Sequence, residues 1–296
     1  MPSRSQEEPQ VQGQSLASFA KRNATYILSV VAVIVLAVIT IFFLKMCAPT
    51  DRGKVMDGDV VIEGEAQRYA TPYDWTKLDR TNGRYAYIVD GQVKSRLGID
   101  VSESQESIDW QAVADDGIEF AMIRLGYRGA TEGDLYLDDY FEENFAGARE
   151  AGLDCGVYFF SQAVNPDEAV EEAQFVLDQL GGAQLEYPIA FDSEVVSGVA
   201  GARTQFLTRE EMTAVADAFC THLEMAGYRT LVYGNAGDLS RYSDEVVNDG
   251  GIWWAEYNAP QPAHYLDIVM WQYANEGSVA GIGTGVDMNI DLSGVL

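Results

Sequence analysis

The sequence predicts an α/β protein whose main domain is an irregular barrel, preceded by an N-terminal transmembrane helix. Three observations lead to this prediction. Eight short apolar runs follow one another between residues 97 and 290, the first five alternate with amphipathic helical patterns, and an uncharged 19-residue segment precedes them all. Strands and helices that alternate over about 200 residues are typical of a β/α barrel, and the shortage of late helices makes this one irregular. An open, doubly wound sheet is the alternative, although no Gly-rich phosphate loop supports it.

The uncharged segment runs from Tyr26 to Leu44, and its only polar side chains besides Tyr26 are Ser29 and Thr40. A helix of this length spans about 28 Å, which matches the hydrocarbon core of a bilayer. A cleaved signal peptide is the rival interpretation, but its apolar region is normally about 7–15 residues long. We therefore expect an uncleaved signal-anchor helix over residues 26–45.

The charges that flank this segment predict its orientation. Arg4, Lys21 and Arg22 precede it, whereas only Lys45 follows closely. The positive-inside rule then keeps the polar, disordered tail of residues 1–25 in the cytoplasm and exports the rest. We expect a single-pass protein of the plasma membrane that contacts the lipid bilayer through its N-terminal helix.

The exported part is strongly acidic. Residues 47–296 hold 15 of the 19 Lys and Arg and 44 of the 46 Asp and Glu, which gives them a net charge of −29. Such a domain repels nucleic acid, so we exclude that class of partner. The cysteines Cys47, Cys155 and Cys220 have no disulfide or metal spacing, and only two histidines are present. We therefore expect no cofactor and no metal.

Between the anchor and the barrel, residues 46–96 predict a stalk that ends in a small β-hairpin. Its first part lacks sustained periodicity. Farther on, the dipeptide Asp90-Gly91 separates two alternating segments, residues 84–89 and 92–96. This pattern is typical of a two-residue hairpin turn that leads into the main domain.

Residues 97–296 form the predicted barrel domain. Its strands are short apolar runs, which cover Leu97–Val101, Phe120–Leu125, Gly156–Phe160, Ile189–Phe191, Thr230–Tyr233, Ile252–Tyr257, Ile268–Tyr273 and Val286–Ile290. Helical patterns lie between the early strands, over Ile108–Ala114, Asp139–Ala151, Pro166–Leu180 and Thr208–Ala226, with a short one near Gly237–Tyr242. Capping signals at Asn165-Pro166 and a capping box from Thr208 to Glu211 mark two helix starts.

In such a barrel the functional site lies at the C-terminal ends of the strands. These ends bring together four carboxylates, Asp100, Asp192, Glu194 and Asp287. Asp192 and Glu194 are spaced i, i+2, so a strand would point them the same way with Cα atoms about 6.6 Å apart. Burial and mutual repulsion would raise at least one pKa, as a general acid on a glycosidic bond requires. An acidic loop after a core strand is the alternative for this pair.

Aromatic and amide side chains share the same strand ends. They are Tyr158, Phe160, Tyr233, Trp253, Tyr257, Trp271 and Gln272. Sugar rings stack on aromatic faces and exchange hydrogen bonds with polar groups, so a carbohydrate site is a sensible use of this mouth. Core packing is the alternative for each aromatic alone, and only one of Trp253 and Trp254 can face inward. The acids could instead hold a hard cation, whereas no Gly-x-Ser-x-Gly elbow supports nucleophilic serine catalysis.

Several motifs follow one another over residues 97–292. They are Gly98-Ile99-Asp100-Val101-Ser102, Ile123–Gly129, Gly156–Ser161, Asp192-x-Glu194, Trp253-x-Ala255-x-Tyr257, Trp271-Gln272-Tyr273 and Val286-Asp287-Met288-Asn289. Together they resemble the family 25 glycoside hydrolases, which are N-acetylmuramidases (lysozymes). The resemblance implies a TIM-like (β/α)5β3 barrel and hydrolysis of the β-1,4 bond between N-acetylmuramic acid and N-acetylglucosamine in peptidoglycan. It does not cover residues 1–96.

The resemblance also implies roles for the four acids. Glu194 matches the general acid, and Asp192 matches its partner, which orients the substrate's N-acetyl group for substrate-assisted attack. Asp100 and Asp287 match the flanking acids that shape the site and tune its charge. The nucleophile stays open between the acetamido oxygen, a carboxylate and water. The implied partner is the peptidoglycan glycan strand and the implied role is cell-wall remodelling; a catalytically silent wall-binding protein and a metal-dependent sugar enzyme are the alternatives.

Overall fold

The computed structural model of this protein describes residues 71–196, 198–243, 246, 251–263 and 267–295. The predicted cytoplasmic tail, the predicted transmembrane segment and the first part of the predicted stalk lie outside these residues. Within the described ranges, no helix is long and apolar enough to span a membrane. The anchor and its orientation therefore stay predictions.

Twelve β-strands and five complete α-helices occur among the described residues. In chain order the strands are β1 (Leu78–Asp79), β2 (Ala86–Val89), β3 (Gln92–Val93), β4 (Arg96–Val101), β5 (Phe120–Arg128), β6 (Leu135–Leu137), β7 (Asp154–Phe160), β8 (Ile189–Asp192), β9 (Thr230–Gly234), β10 (Ile252–Ala255), β11 (Ile268–Gly277) and β12 (Val286–Asp291). The helices are α1 (Trp110–Asp115), α2 (Phe141–Glu150), α3 (Pro166–Leu180), α4 (Arg209–Met225) and α5 (Ala236–Leu239).

Eight of these strands form a closed barrel. Their order is β4-β12-β11-β10-β9-β8-β7-β5, and β5 pairs back onto β4, while β6 extends the outer part of β5. The helices follow the first five barrel strands, and among the described residues no α-helix lies between β10 and β12. The predicted eight-stranded α/β barrel is confirmed, and the alternative of an open sheet is wrong because the barrel has no free edge between β4 and β5.

The last strand runs against all the others. Seven barrel strands are parallel, but β12 is antiparallel to both of its neighbours, β11 and β4. The beginning of β12 therefore lies at the same end of the barrel as the C-terminal ends of the other strands. This direction decides which residues of β12 reach the mouth.

Helices α3 and α4 begin at side-chain caps that the sequence marks. The Asn165 side chain accepts the Glu168 N–H at 3.0 Å. Thr208 and Glu211 form a reciprocal box, with N–H to side-chain oxygen distances of 2.8 and 3.2 Å. Each cap satisfies backbone donors that a helix start leaves unpaired. Helix α3 precedes β8 along the chain and helix α4 follows it, and β8 is the strand that carries Asp192.

The barrel has two apolar layers because strand side chains alternate between its inside and outside. The inner layer consists of Phe120, Met122, Tyr187, Ala190, Leu231, Tyr233, Trp253, Ala255 and Met270. A larger layer, which includes Trp254 and Trp271, lies between the strands and the elements that cover them. Trp253 thus faces inward and Trp254 outward, as the alternation predicts for neighbours.

A small three-stranded antiparallel sheet, β1-β2-β3, precedes the barrel. β2 and β3 pair on either side of the predicted turn, with Ile88 opposite Val93. Asp90 and Gly91 both have positive φ, at 52° and 77°. Positive φ at both central residues is the requirement of a type I′ hairpin turn, and Asp-Gly meets it at low cost.

This sheet packs on the outside of the barrel, and we call residues 73–95 the N-terminal collar. The Tyr73 hydroxyl donates to the Ile268 carbonyl at 2.8 Å. The Tyr85 ring stacks on Tyr273 with 4.0 Å between centroids and meets Trp271 edge-on at 5.3 Å. The collar therefore covers part of the outer face of β11, where a regular barrel would place a helix. This part of the predicted stalk is in contact with the barrel.

Candidate active site

All four predicted acids lie at one end of the barrel. Asp100 is near the end of β4 and Asp192 is the last residue of β8. Asp287 is the second residue of β12 and stands opposite Asp100 in the β12–β4 register. Glu194 follows two residues after β8 ends, so a loop rather than strand alternation positions it. The four acids therefore share one mouth, with two of them on adjacent strands.

Asp100 is buried and receives two side-chain amide donors on one oxygen. Gln272 Nε2 and Asn289 Nδ2 each donate to Asp100 Oδ2 at 2.7 Å. Donors of this kind stabilise the charged form of a carboxylate and hold it in one orientation. Asn289 belongs to the Val286–Asn289 motif, but the sequence does not predict it as a site residue.

Aromatic side chains orient both of these amides. The hydroxyls of Tyr233 and Tyr257 donate to Gln272 Oε1, each at 2.8 Å. The Trp253 indole N–H donates to Asn289 Oδ1 at 2.7 Å. Because each amide oxygen is occupied by a donor, each amide nitrogen points at Asp100. Three predicted aromatic residues thus act through the hydrogen-bond network beneath the mouth.

Asp100 and Asp287 form a coupled pair. Burial, the charge of Asp100 and a hydrogen bond between the two carboxyls raise the pKa of Asp287 to about 9. Burial also raises the pKa of Asp100, against the opposing effect of its hydrogen bonds from Asn289, Gln272 and Asp287. Asp287 therefore keeps its proton at neutral pH and shares it with Asp100 in the hydrogen bond between the two carboxyls.

Asp192 and Glu194 form the second acidic pair. Burial raises the pKa of Asp192 well above its usual range, and the charges of Glu194, Asp238 and Asp100 add to this while Arg124 opposes it. Burial, Asp238 and Asp100 raise the pKa of Glu194 to about 7. Both predicted effects, loss of solvent and repulsion between acids, thus operate on this pair.

Two buried oxygens beside Glu194 have no hydrogen-bond partner within the described part of the chain. They are Asp192 Oδ1 and Ser193 Oγ. Buried polar atoms are normally paired, so unpaired ones at a functional site are candidates for substrate contacts. Asp192 therefore offers an oxygen for a polar group of a bound molecule.

Arg124 and Asp238 are charged neighbours that the site prediction missed. Arg124, on β5, forms ion pairs with Asp138 at 2.7 Å and Glu103 at 2.9 Å. Asp238 is buried in α5 and faces the loop that carries Glu194. Arg124 belongs to the Ile123–Gly129 motif. For Asp238, the helix-capping pattern from Asn235 to Asp238 is the sequence feature that could have indicated it.

The structure distributes the predicted substrate-binding residues over three environments. Tyr257 is 38% exposed at the rim, and Phe160, half-buried, ends β7 in register with Asp192. Tyr158, Tyr233 and Gln272 lie inside the barrel below the mouth. Trp253 is only 1% exposed, so it forms the floor of the site rather than an open stacking surface.

The prediction that Trp271 binds the substrate is wrong. Its neighbour Gln272 faces the barrel interior, so alternation places Trp271 on the outer face. There it is fully buried, packs against Trp75 and Tyr85, and donates its indole N–H to the Glu256 carbonyl at 2.9 Å. We therefore assign it to the contact between barrel and collar, away from the mouth.

The alternative of a metal-dependent enzyme requires a set of ligands. Among the described residues, no group of three or more His, Cys, Asp or Glu side chains is arranged to hold a metal ion. Asp100 instead accepts two amide donors and shares a hydrogen bond with Asp287.

Comparison with known proteins places this site in a family. The family described as glycosyl hydrolases family 25 matches residues 99–282, which run from β4 to the loop before β12. The chain belongs to the family 25 glycosyl hydrolases. The match includes Asp100, Asp192 and Glu194, and β12 with Asp287 follows directly after it.

Relatives of this family 25 protein agree with the assignment. The autolytic lysozyme of Clostridium acetobutylicum is 29% identical over 199 residues, which cover 67% of this chain and 56% of that protein. Lysozyme M1 of Streptomyces globisporus is 29% identical over 202 residues, which cover 65% and 66%. The solved structure of a bacterial lysozyme from Streptomyces coelicolor matches with a TM-score of 0.56 at 26% identity, over 66% of this chain and 90% of that one. The chain thus spans little more than half the length of the first of these relatives.

Proposed function

We propose that this family 25 protein is a muramidase, which hydrolyses the β-1,4 bond between N-acetylmuramic acid and N-acetylglucosamine in peptidoglycan. The observation that carries the proposal is the acidic pair at the mouth, in which the pKa of Glu194 is raised to about 7. A carboxyl group with this pKa keeps a large share of its protons at neutral pH and can still release one to a leaving oxygen.

In this reaction Glu194 donates its proton to the glycosidic oxygen as the bond to the muramic acid carbon breaks. Positive charge then develops on the sugar ring. Asp100, whose Oδ2 atom accepts two amide donors that favour its charged form, would place negative charge at the mouth, and such fixed charge favours the transition state. Water completes hydrolysis, and Glu194 in its ionised form accepts the proton that this water loses.

Asp192 has a separate role in the proposal. Its Oδ1 atom is buried without a hydrogen-bond partner in the described structure. We assign this oxygen to the substrate's N-acetyl group, which it would hold in position for attack on the sugar carbon. Orientation of this kind converts a flexible substituent into a reactive neighbour. The acetamido oxygen, a carboxylate and water remain the possible nucleophiles.

The test is digestion of purified peptidoglycan by the full-length protein in detergent, followed by mass spectrometry of the products. We expect new reducing ends on N-acetylmuramic acid. Glu194→Gln should lower the rate about 10²–10⁴-fold, because the amide cannot donate a proton in its place. Glu142→Gln, at the exposed start of α2, is the matched control and should act like the wild-type protein.

Two results would contradict the proposal. Equal and negligible release by the wild-type protein and Glu194→Gln, together with retained binding to peptidoglycan, would favour a catalytically silent wall-binding protein. New reducing ends on N-acetylglucosamine would show instead that the enzyme cleaves the bond between N-acetylglucosamine and the following N-acetylmuramic acid.

We place the enzyme at the plasma membrane, with the barrel outside and facing the cell wall, where it would act in wall remodelling. Support comes from the uncharged segment at residues 26–44, from the basic residues before it and from the net charge of −29 over residues 47–296. A span of this length suits a bilayer, and the flanking charge suits a cytoplasmic N-terminus.

Membrane extraction tests this placement. The full-length protein should stay in the membrane fraction after alkaline carbonate treatment, and protease added to cells stripped of their wall should remove the barrel. Ile34→Lys combined with Val38→Lys should release the protein, because each central lysine costs roughly 2.5–3.5 kcal/mol of insertion free energy. Carbonate extraction of the unaltered protein would contradict the anchor.

A further inference from the structure

Asp238 ties the loop that carries Glu194 to the next strand connection. It lies in α5, the short helix directly after β9, and is only 4% exposed. Its Oδ1 atom accepts the Val195 N–H at 3.3 Å, and its Oδ2 atom accepts the Asn235 N–H at 3.4 Å. One carboxylate thus joins the residue after Glu194 to the end of β9.

The backbone around Asp238 is built to bring it close. The Asn235 side chain accepts the N–H groups of Gly237 and Asp238, at 2.7 and 3.2 Å, which fixes the start of α5. At Gly234 an added Cβ would lie 2.9 Å from the Cβ of Asp238, a distance that real Cβ atoms do not tolerate. Glycine at this position therefore permits the buried approach of the carboxylate.

Several charged and titratable groups surround Glu194. The acids are Asp192 on β8, Asp100 on β4, Asp287 on β12 and Asp238 on α5, and the phenols are Tyr233 and Tyr257. Two arginines also act on this region: Arg124 on β5, whose charge lowers the pKa of Asp192, and Arg241, which donates to the Ser193 carbonyl at 3.2 Å. Asp238 has no role in the reaction proposed above.

We propose that Asp238 is a positioning residue for the general acid: it fixes the Glu194 loop through the Val195 N–H and sets a buried negative charge beside the Glu194 carboxyl group. This inference rests on the proposed muramidase function and deepens it. In this proposal α5 contributes to catalysis through Asp238, although no part of α5 needs to contact the glycan.

The electrostatics agree with the geometry. After burial, the charge of Asp238 is the largest contribution that raises the pKa of Glu194, and it also raises the pKa of Asp192. A negative neighbour disfavours the ionised form of a carboxyl group, so it keeps the proton in place until the glycosidic oxygen receives it.

The test separates the charge of Asp238 from its hydrogen bond. Asp238→Asn keeps an acceptor for the Val195 N–H and removes the charge, whereas Asp238→Glu keeps the charge. The pH profile of kcat/KM on soluble glycan strands is measured for each variant. For Asp238→Asn we expect the alkaline limb to move down by about one pH unit, and for Asp238→Glu we expect it to stay near the wild-type position.

Two further variants control for the loss of a charge elsewhere and for a failure to fold. Asp178→Asn, on the exposed face of α3, removes one equal charge far from the mouth and should leave the profile unchanged. If Asp238→Asn does not fold, Asp238→Ser replaces it, since serine is smaller, uncharged and still able to accept a hydrogen bond. An alkaline limb at the wild-type position in a folded, active Asp238→Asn or Asp238→Ser variant would overturn the inference.

A direct titration distinguishes this inference from the proposed function. Carboxyl ¹³C NMR follows the Glu194 resonance, which is assigned by its loss in Glu194→Gln. The midpoint should fall in Asp238→Asn even if the wild-type protein proves inactive on peptidoglycan, in which case only the function fails. An unchanged midpoint with an active wild-type enzyme would overturn the role of Asp238 alone.

Discussion

Asp287 lies directly opposite Asp100 in the antiparallel pair of strands that closes the barrel. The two carboxyls share a hydrogen bond, and the pKa of Asp287 is raised to about 9 while Asp100 is held by two amide donors. Two carboxyl groups that share a hydrogen bond cannot both ionise without a large cost in free energy. The pair therefore holds a proton at the mouth at neutral pH, on the Asp287 side of the hydrogen bond.

The Asp100–Asp287 pair predicts a dependence of stability on pH. Because the folded pKa of Asp287 is about 9 and its ordinary value is 3.8, the folded state binds more protons than the unfolded state between these values. Stability then falls as pH rises through this window. Asp287→Asn, whose amide can donate to Asp100, should raise the Tm at pH 7.5 by roughly 2–4 °C. Differential scanning calorimetry at pH 4 should show almost no difference.

Asp178→Asn again supplies the control for loss of a carboxylate on the surface, and its Tm should match that of the wild-type protein at both pH values. A lower Tm for Asp287→Asn at pH 7.5 would show that the carboxyl pair is net stabilising, contrary to this prediction.

The pKa of Glu194 predicts the alkaline side of the activity profile. Above its value of about 7 the proton required by the leaving oxygen is lost, so kcat/KM should fall roughly tenfold per pH unit. Initial rates on soluble glycan strands between pH 5 and 9 would measure this, with circular dichroism at each pH to show that the fold persists. A flat profile up to pH 9 would rule out Glu194 as the sole titrating acid.

The opposite positions of Tyr257 and Trp271 predict opposite phenotypes. Tyr257→Ala removes an exposed ring at the rim, so KM for soluble glycan strands should rise about tenfold, while loss of its hydrogen bond to Gln272 should cost only about 1 kcal/mol of unfolding free energy. Tyr257→Phe keeps the ring and should recover most of the affinity. Trp271→Ala removes a buried ring outside the barrel, which should cost about 3–5 kcal/mol of unfolding free energy. Its KM should change less than about twofold.

Urea unfolding and steady-state kinetics on the same preparations would separate these effects. A raised KM in a fully folded Trp271→Ala protein would return that residue to the substrate site.

The collar predicts a contribution to stability from residues that precede the family 25 barrel. Trp75 meets Trp271 edge-on with 6.1 Å between ring centroids. Trp75→Ala should therefore lower the unfolding free energy by about 1–3 kcal/mol and leave kcat unchanged. Val93→Ala, at an exposed position of the same collar, should change the unfolding free energy by less than about 0.5 kcal/mol. Equal urea midpoints for the two variants would mean that the collar packs without supporting the barrel.

Strand and helix positions in the barrel followed from local pattern because alternation, capping and turn residues act over short distances. The hairpin at Asp90-Gly91 formed for the same reason, since both residues tolerate positive φ. The gathering of Asp100, Asp192 and Glu194 at one mouth followed from the rule for parallel strands. Asp287 reached that mouth by a different route, because β12 runs antiparallel and brings its beginning, not its end, to this side.

Other features depended on contacts between segments distant in the chain. The sequence of β11 marks Trp271 and Gln272 equally, and only the barrel shows that Gln272 faces Asp100 while Trp271 faces the collar. Asp238 carried a local capping signal, but its hydrogen bond to Val195 joins residues 43 positions apart. Charge relationships of this kind need the fold, since pKa values depend on distance and burial.

The sequence by itself determined the barrel class, the family and the four acids at the mouth, because these depend on local periodicity and on ordered motifs. The tertiary structure decided which acids share protons, which aromatic rings face the substrate and which support the collar. The physical reason is that protonation and exposure are properties of neighbours in space. The protonation and orientation of Asp100 depend on Asp287, Gln272 and Asn289, all of which lie more than 170 residues away along the chain. The amide nitrogens of Gln272 and Asn289 are nevertheless only 2.7 Å from Asp100 Oδ2.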